Sequence, residues 1–238
     1  MEKLYIVIPA YNERENVRQV IKDWYPIVET FGSKDSRLVI INDGSKDDTY
    51  EILCEEAKNR PMLLPLTKKN GGHGSTVLYG YQFAIDNAAD FIFQTDCDGQ
   101  TNPAEFKQFW DNRNNYDAII GHRVVRGDGK QRKMIENVVC LLLRIIFGVS
   151  VKDANAPFRL MRTDVVARYI KRLPENFNLP NIMFTTYFVY FKERVKFFEI
   201  TFKPRQGGVN SINLKKIVKI GWKAVGDFWM LRKDMMKG

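Results

Sequence analysis

Residues 91–100 read FIFQTDCDGQ, and this stretch predicts a buried strand with a binding site at its end. The apolar run FIF is typical of a strand inside a sheet. Asp96 and Asp98 follow in a polar turn, where two carboxylates can direct their oxygens at one point. Hard divalent cations such as Mg²⁺ and Mn²⁺ take oxygen ligands and are often shared between carboxylates and substrate phosphates. The alternative is a plain turn, since Asp and Gly dominate turns.

Apolar runs and amphipathic segments alternate along the rest of the N-terminal half. LYIVIP at residues 4–9 and RLVII at residues 37–41 suit strands buried on both faces. Asn12 is expected to cap the first helix. The order β-α-β-α-β-α-β predicts an α/β fold with one mostly parallel open sheet and helices on both faces. Ligands collect at the carboxyl ends of such strands, where the turns at Asp43 and Asp96 also lie.

Composition limits the class of protein. The 238 residues carry 37 basic and 28 acidic side chains, a net charge of +9, and 45% of them are hydrophobic, which suits one large domain. The excess of basic side chains is typical of proteins that bind an anionic membrane or phosphorylated substrates. The chain has no nucleic-acid-binding motif, so we expect no nucleic-acid partner. The three widely spaced cysteines indicate neither disulfides nor a zinc site, which fits a reducing cytoplasm.

The C-terminal residues form a feature of their own. We assign residues 1–212 to the α/β domain and residues 213–238 to an amphipathic helix rich in Trp, Lys and Arg. Such a helix either lies in a membrane interface or packs on the domain, and the net charge favours the membrane. The most apolar stretch, residues 138–151, is too short to span a bilayer and is interrupted by Arg144. We therefore expect a cytoplasmic protein that is peripheral on the inner face of the membrane or held there by a membrane subunit.

Four motifs occur along the chain: IPAYNE at residues 8–13, NDGSKDDT at residues 42–49, NGGHG at residues 70–74 and DCDGQ at residues 96–100. Together, in this order and spacing, they resemble the inverting family 2 glycosyltransferases of the GT-A fold. The resemblance covers at least residues 3–162. It implies an enzyme that binds a nucleotide-diphospho-sugar with Mg²⁺ or Mn²⁺ and transfers one sugar.

The resemblance implies a role for each matching position. The first motif would line the nucleoside pocket, the second would meet the base or the ribose, and the glycines of the third would let the backbone approach the nucleotide. The implied nucleotide-sugar-binding residues are Pro9, Tyr11, Glu13, Asp43, Gly44, Ser45, Gly74 and Asp96. The implied metal ligands are Asp96, Asp98 and Gln100. His73, between the glycines, either contacts phosphate or faces solvent.

Later motifs narrow the resemblance to the polyprenyl-phosphate sugar synthases, the branch that includes dolichyl-phosphate mannose synthase. GHR at residues 121–123 begins at the end of a strand predicted over residues 116–121, and APFR stands at residues 156–159. The branch usually has GSR and SGFR at these places. KPRQG at residues 203–207, followed by Ser211, resembles the closing motif of the branch. The QxxRW motif of processive synthases is missing, which argues against a polymerising enzyme.

Glycosyl transfer requires a stabilised leaving diphosphate and an aligned nucleophile. The residues nominated for catalysis are Asp98, Asp153, Arg123, Arg132 and Arg159. A polyprenyl phosphate (undecaprenyl or dolichyl) is already ionised, and arginines suit it through bidentate hydrogen bonds. A saccharide hydroxyl, as in surface polysaccharide assembly, needs a carboxylate base, for which Asp153 is the best candidate. We favour the lipid phosphate, and a non-catalytic nucleotide-sugar-binding protein is the third alternative.

Overall fold

The computed structural model describes residues 1–126, 130–204 and 214–236, with the side chains of residues 1–124, 132–204 and 224–236. The strands in this part of the chain are β1 (Leu4–Ala10), β2 (Arg37–Asn42), β3 (Leu63–Thr67), β4 (Phe91–Gln94), β5 (Ala118–Arg126), β6 (Arg159–Arg162) and β7 (Val195–Phe202). The helices are α1 (Val17–Phe31), α2 (Thr49–Ala57), α3 (His73–Asp86), α4 (Phe106–Asp111), α5 (Lys130–Phe147), α6 (Thr163–Ile170), α7 (Pro180–Tyr190) and α8 (Leu214–Met235).

The seven strands of the described residues form one sheet in the order β3-β2-β1-β4-β6-β5-β7. β1 lies parallel to both β2 and β4, β2 lies parallel to β3, and β5 lies parallel to β7. β6 runs antiparallel to its neighbours β4 and β5. The sheet is therefore mixed but mostly parallel, and the predicted α/β fold is confirmed.

Helices cover both faces of the sheet, because its inner strands are apolar on both sides. On one face, Leu4, Ile6 and Ile8 of β1 are buried with side chains of α1, α2 and α4. On the other face, Tyr5 and Val7 are buried with side chains of α3 and of α5 to α8. β1 is thus held from both faces and both edges, which fixes the loop at its carboxyl end.

The start of the first helix differs from the prediction. α1 begins at Val17, with Asn16 in the cap position, and Asn12 lies in the preceding loop with a positive φ of 54°. The side chain of Asn12 is used elsewhere, because its Oδ1 accepts a 2.8 Å hydrogen bond from the backbone N–H of Lys46. A short polar residue tolerates this left-handed conformation, so Asn12 shapes the loop and does not cap the helix.

The strand predicted over residues 116–121 is longer in the structure. β5 continues to Arg126, because β7 pairs with it in parallel along this length, with an irregularity just after Arg123. The polar residues His122 and Arg123 hid the extension, since an inner strand is expected to be apolar. Arg123 therefore lies on a strand, where the paired backbone fixes the direction of its side chain.

Helix α8 packs on the domain over its described side chains. Ala224, Phe228 and Leu231 are buried in the core that contains α5, and the rings of Phe228 and Phe147 lie 6.0 Å apart between centroids. One side of this part of residues 213–238 thus packs on the protein, while Trp229 and Met230 are exposed on another side. Contact of the helix with a membrane interface stays a prediction. Within the described residues, the structure contains no helix whose length and apolar character suit a bilayer crossing.

Candidate active site

Three of the four motifs follow neighbouring parallel strands. β1 pairs with β2 up to Ala10 and Asn42, and it pairs with β4 up to Val7 and Gln94. The loops that follow these strands therefore leave the sheet at one edge. The structure brings the first, second and fourth motifs together there, as their position at strand ends predicted.

The first two motifs are joined directly by hydrogen bonds. The backbone N–H of Asn12 donates to Ser45 Oγ at 2.9 Å, and the backbone N–H of Glu13 donates to Thr49 Oγ1 at 2.9 Å. The Asn12 side chain accepts from Lys46 in return. Ser45, for which the resemblance implied a contact with base or ribose, uses its hydroxyl to hold the neighbouring loop. The two loops thus form one rigid unit.

Within the first motif, Tyr11 is the most open of the three residues implied in the nucleoside pocket, with 36% of its surface exposed. Pro9 is buried in β1 opposite Ile41 of β2. Glu13 is 9% exposed, and its Oε2 accepts a 2.6 Å hydrogen bond from Asn16 Nδ2 at the start of α1. Of the three residues implied in the nucleoside pocket, Tyr11 is therefore the one that faces solvent at the strand ends.

Asp43 organises the glycine-rich loop. Its Oδ1 accepts hydrogen bonds from Lys68 Nζ at 2.6 Å and from the Gly71 N–H at 2.9 Å, and its Oδ2 accepts from the Gly72 N–H at 2.8 Å. Asp43 is 3% exposed, so the ion pair with Lys68 is largely buried. Sequence reasoning did not single out Lys68; the signal that could have found it is its position three residues before Gly71, at the start of the glycine-rich loop.

Two glycines lie where a side chain does not fit. Gly44 has a φ of +64°, and a Cβ there would lie 2.9 Å from the backbone nitrogen of Asn70. A Cβ on Gly74 would lie 2.3 Å from the carbonyl oxygen of Phe177, in the loop before α7. The absence of a side chain at Gly74 thus lets the loop before α7 pack closely against the start of α3. The contact between Gly74 and a nucleotide, which the resemblance implied, stays a prediction.

The DxD turn carries the open carboxylates of the site. Asp96 Oδ1 lies 3.0 Å from Nε2 of His73, the first residue of α3, and their side chains are 25% and 49% exposed. Asp98 is partly exposed, and its Oδ1 accepts from the Gln100 N–H at 3.1 Å. Burial lowers the pKa of His73, but the carboxylates of Asp96, Asp98 and Asp43 outweigh it, so the pKa lies above its ordinary value. Negative potential therefore dominates this turn.

Gln100 connects the DxD turn to the end of β7. Its Nε2 donates to the Lys203 carbonyl at 2.8 Å, the Lys203 N–H donates to the Gln100 carbonyl at 2.8 Å, and the Gln100 side chain is buried. The resemblance implied a metal ligand at Gln100, and the structure gives its amide nitrogen this second, structural role. Lys203 opens the segment that resembles the closing motif, but residues 205–213 lie outside the described residues.

Arg123 and Asp153 form a buried ion pair. Arg123 Nε and Nη2 donate to Asp153 Oδ2 and Oδ1, both at 2.8 Å, and the Arg123 and Asn155 N–H groups donate to the same carboxylate. Glu136 of α5 lies 3.6 Å from Arg123 Nη2, and its Oε1 accepts from the Ala154 N–H at 2.7 Å. The pair brings together two of the nominated catalytic residues, but each engages the other.

The structure corrects the expectation that Arg159 holds an acceptor phosphate. Arg159 is fully buried, with Nε and Nη2 donating to the Ala156 carbonyl and Nη1 donating to the Asn181 carbonyl at 3.0 Å. Burial lowers the pKa of this guanidinium. Arg159 therefore braces the segment before β6 against α7. Of the three nominated arginines, Arg132 in the first turn of α5 is the most open, being partly exposed.

The open sheet with acidic turns at the carboxyl ends of its strands is the architecture of the GT-A glycosyltransferases, and solved structures match it. One is S. aureus TarS in complex with UDP-GlcNAc, with a TM-score of 0.63 and 20% identity over 89% of this chain and 62% of that one. Another is glucosyl-3-phosphoglycerate synthase from Mycobacterium tuberculosis with Mn²⁺, UDP-glucose and phosphoglyceric acid, with a TM-score of 0.69 and 14% identity over 98% and 80%. At these identities the similarity is one of fold.

The sequence comparison identifies the family. The model of glycosyl transferase family 2 matches residues 5–170, and the chain belongs to this family of enzymes. It is 26% identical over 174 residues to the undecaprenyl-phosphate 4-deoxy-4-formamido-L-arabinose transferase of Pectobacterium atrosepticum, covering 72% of this chain and 52% of that protein. The protein of the same name from Pectobacterium carotovorum is 26% identical over 170 residues, covering 70% and 51%. The chain spans about half the length of these relatives.

Proposed function

We propose that this chain is a metal-dependent, inverting glycosyltransferase that moves one sugar from a nucleotide-diphospho-sugar to a polyprenyl phosphate. The observation that carries the proposal concerns the acceptor. Both carboxylate oxygens of Asp153, the candidate base for a hydroxyl acceptor, already accept hydrogen bonds from Arg123. The relatives named as undecaprenyl-phosphate transferases support the same acceptor. A uridine nucleotide is the favoured donor, since two similar structures were solved with UDP-sugars.

The donor diphosphate would lie between the start of α3 and the DxD turn. The amino end of a helix attracts anions through its dipole and its unpaired N–H groups. His73 is the first residue of α3, so its ring would lie beside the diphosphate. Lys68 and Asp43 would hold the loop that leads into this helix. Tyr11, exposed at the neighbouring strand end, would contact the nucleoside.

Asp96 and Asp98 would hold the divalent cation. Both carboxylates are partly exposed, and the described residues contain no cluster of three His, Cys, Asp or Glu side chains that encloses an ion. Two open carboxylates fit Mg²⁺ or Mn²⁺, which take one or two protein carboxylates together with substrate phosphates. When bound, such an ion neutralises the charge that develops on the leaving diphosphate. Gln100 would hold the turn in place through Lys203.

The choice between the two acceptors depends on whether the attacking group must lose a proton. A hydroxyl nucleophile must give a proton to a base within hydrogen-bond reach, and at Asp153 it would have to displace Arg123. An ionised phosphate attacks without losing a proton, so the buried Arg123–Asp153 pair does not impede it. Arg132, partly exposed in α5, and Lys203, exposed next to the DxD turn, are the cations that would hold this phosphate. The membrane origin of such an acceptor suits a peripheral protein.

A transfer assay tests the proposal. The full chain is incubated with undecaprenyl phosphate, Mn²⁺ and labelled UDP- or GDP-sugars in separate tubes, and label entering the organic phase is counted. We expect metal-dependent labelling of the organic phase with a UDP-sugar, and loss of this labelling in Asp98→Asn. Asp86→Asn, the same change at an exposed helix residue, is the matched control and should transfer sugar like the wild type. Label entering only saccharides would replace the lipid acceptor with a hydroxyl. Donor binding without transfer to either acceptor would favour a non-catalytic protein.

A further inference from the structure

Helix α5 is apolar on two opposite faces. Leu143, Ile146 and Phe147 are buried in the core. On the outward face four large side chains remain exposed to solvent, by 63%, 52%, 56% and 67%: Met134, Val138, Leu141 and Ile145. Their spacing of four, three and four residues puts them in one stripe on the helix, about 16 Å long at 1.5 Å per residue. We call these four residues the α5 stripe.

The α5 stripe belongs to a wider concentration of exposed apolar side chains. α8, which packs on α5, exposes Trp229 and Met230 by 51% and 54%, and Met236, directly after this helix, is 67% exposed. These two helices carry six of the eleven exposed large hydrophobic side chains among the described residues. Single exposed apolar residues need no explanation, but a stripe of four on one helix indicates a surface that is covered in use.

The exposed charged residues of α5 itself are basic, and α8 carries both signs, with Asp227 partly exposed. Lys133 and Arg144 are exposed on α5, and Lys233 is exposed on α8. Glu136, the acidic residue of α5, is turned inward, where it holds the Ala154 N–H. Asp234 of α8 is paired with Arg172 at 3.6 Å. Aliphatic side chains flanked by lysine and arginine match the boundary between the acyl chains and the headgroups of an anionic bilayer.

The inner face of α5 touches the acceptor end of the proposed site. Glu136 connects the helix to Ala154 and Arg123, and Arg132 lies one turn before it. The α5 stripe is therefore separated from the Arg123–Asp153 pair by about one helix diameter, roughly 10 Å. A surface that covers the stripe comes close to the place where a lipid phosphate would enter.

We propose that the α5 stripe is the bilayer-docking face of this protein, and that it inserts into the headgroup boundary of an anionic membrane. The proposal rests on the proposed function for its orientation, but the docking itself does not require transfer. Docking through the α5 stripe differs from docking through the C-terminal helix alone. The buried side of α8 packs against the core and cannot face a membrane.

Sedimentation with vesicles tests the docking. The full chain is mixed with vesicles of phosphatidylcholine and phosphatidylglycerol or of phosphatidylcholine alone. We expect binding to the anionic vesicles that falls at least about tenfold in the double variant Leu141→Gln/Ile145→Gln, because two apolar side chains lose their burial in lipid. Tyr79→Gln, a change at a 41% exposed residue of α3, serves as the matched control and should sediment like the wild type.

Two further measurements keep the test decisive. If the double variant melts below the wild type, Met134→Gln/Val138→Gln replaces it at the other end of the stripe. Unchanged sedimentation of a stably folded stripe variant overturns the proposal, and so does a wild-type dimer in analytical ultracentrifugation that the stripe variant abolishes.

Transfer to a short, water-soluble prenyl phosphate should survive in the stripe variant while transfer to vesicle-borne undecaprenyl phosphate falls. Absence of both activities in the wild type would contradict the proposed function and leave the sedimentation result to decide the docking.

Discussion

Arg123 and Asp153 engage each other inside the protein through two hydrogen bonds of 2.8 Å, and their side chains are only 6% and 2% exposed. The guanidinium is thus neutralised before any acceptor phosphate arrives, and the carboxylate is occupied before any hydroxyl arrives. Because Glu136 of α5 joins the same cluster, the pair also ties β5 to the helix that carries Arg132. A buried charge cluster therefore supports the proposed acceptor end of the site.

Breaking this pair should cost stability. Asp153→Asn removes the charge that balances the buried Arg123, and loss of one partner of a buried ion pair costs about 3 kcal/mol or more. We expect the free energy of unfolding in urea to fall by about that amount. Arg123→Met/Asp153→Leu, which removes both charges, should recover part of the loss. An Asp153→Asn variant that unfolds like the wild type but no longer transfers sugar would instead identify Asp153 as a catalytic base.

Lys68 should matter for donor binding. It is the cation paired with the buried Asp43, whose carboxylate holds the N–H groups of Gly71 and Gly72. Lys68→Met should loosen this loop and raise the KM for the donor sugar about tenfold, with a smaller change in kcat. Lys69→Met, a change at the exposed neighbour, should leave both constants near the wild-type values. A fall in kcat at constant KM would place Lys68 in the chemical step.

Gly74 should resist substitution. A Cβ at this position would lie 2.3 Å from the Phe177 carbonyl oxygen, and both partners are backbone in packed segments. We expect Gly74→Ala to lower the free energy of unfolding by about 2 kcal/mol through overpacking. Gly226→Ala in α8 meets open space and should be neutral or slightly stabilising. Equal melting temperatures for the two variants would contradict the close contact between α3 and the loop before α7.

Asp117 and Arg194 should give the stability a pH dependence. Arg194 donates to both carboxylate oxygens of Asp117, at 2.7 Å and 3.1 Å, and these hydrogen bonds hold the pKa of Asp117 below its ordinary value. Since the folded-state pKa is depressed, the contribution is fully present above the unfolded value of about 3.9 and is lost as the pH falls through the folded pKa. Arg194 is half exposed, so solvent screens the pair and we expect its contribution at pH 7 to be small.

The measurement is urea unfolding of the wild type and of Asp117→Asn at several pH values. The difference between them should be constant near neutral pH and should shrink below about pH 4. Asp164→Asn, which removes an exposed partner of Arg162, should change the unfolding free energy by no more than about 0.3 kcal/mol at any of these values. A difference for Asp117→Asn that persists at low pH would show that the ion pair is not its source.

The sequence by itself determined the fold class and predicted that the loops after β1, β2 and β4 lie together. Continuous apolar runs such as LYIVIP predict inner strands, and polar turns directly after them predict ligand positions, because both signals are local. The four motifs also indicated the family correctly. The strand and turn signals are local because periodicity and turn chemistry act over short stretches of chain, whereas the family follows from the order and spacing of four motifs between residues 8 and 100.

Only the tertiary structure decided which polar groups are already engaged. Asp43 and Lys68 lie 25 residues apart and Arg123 and Asp153 lie 30 apart, and no pattern in the sequence pairs them. The burial of Arg159 and the exposure of the α5 stripe likewise depend on which face each element turns to its neighbours. The amino-acid sequence of an apolar helix, or the identity of a charged residue, is the same whether it is buried or exposed. Packing alone assigns them to the core, the site or the surface.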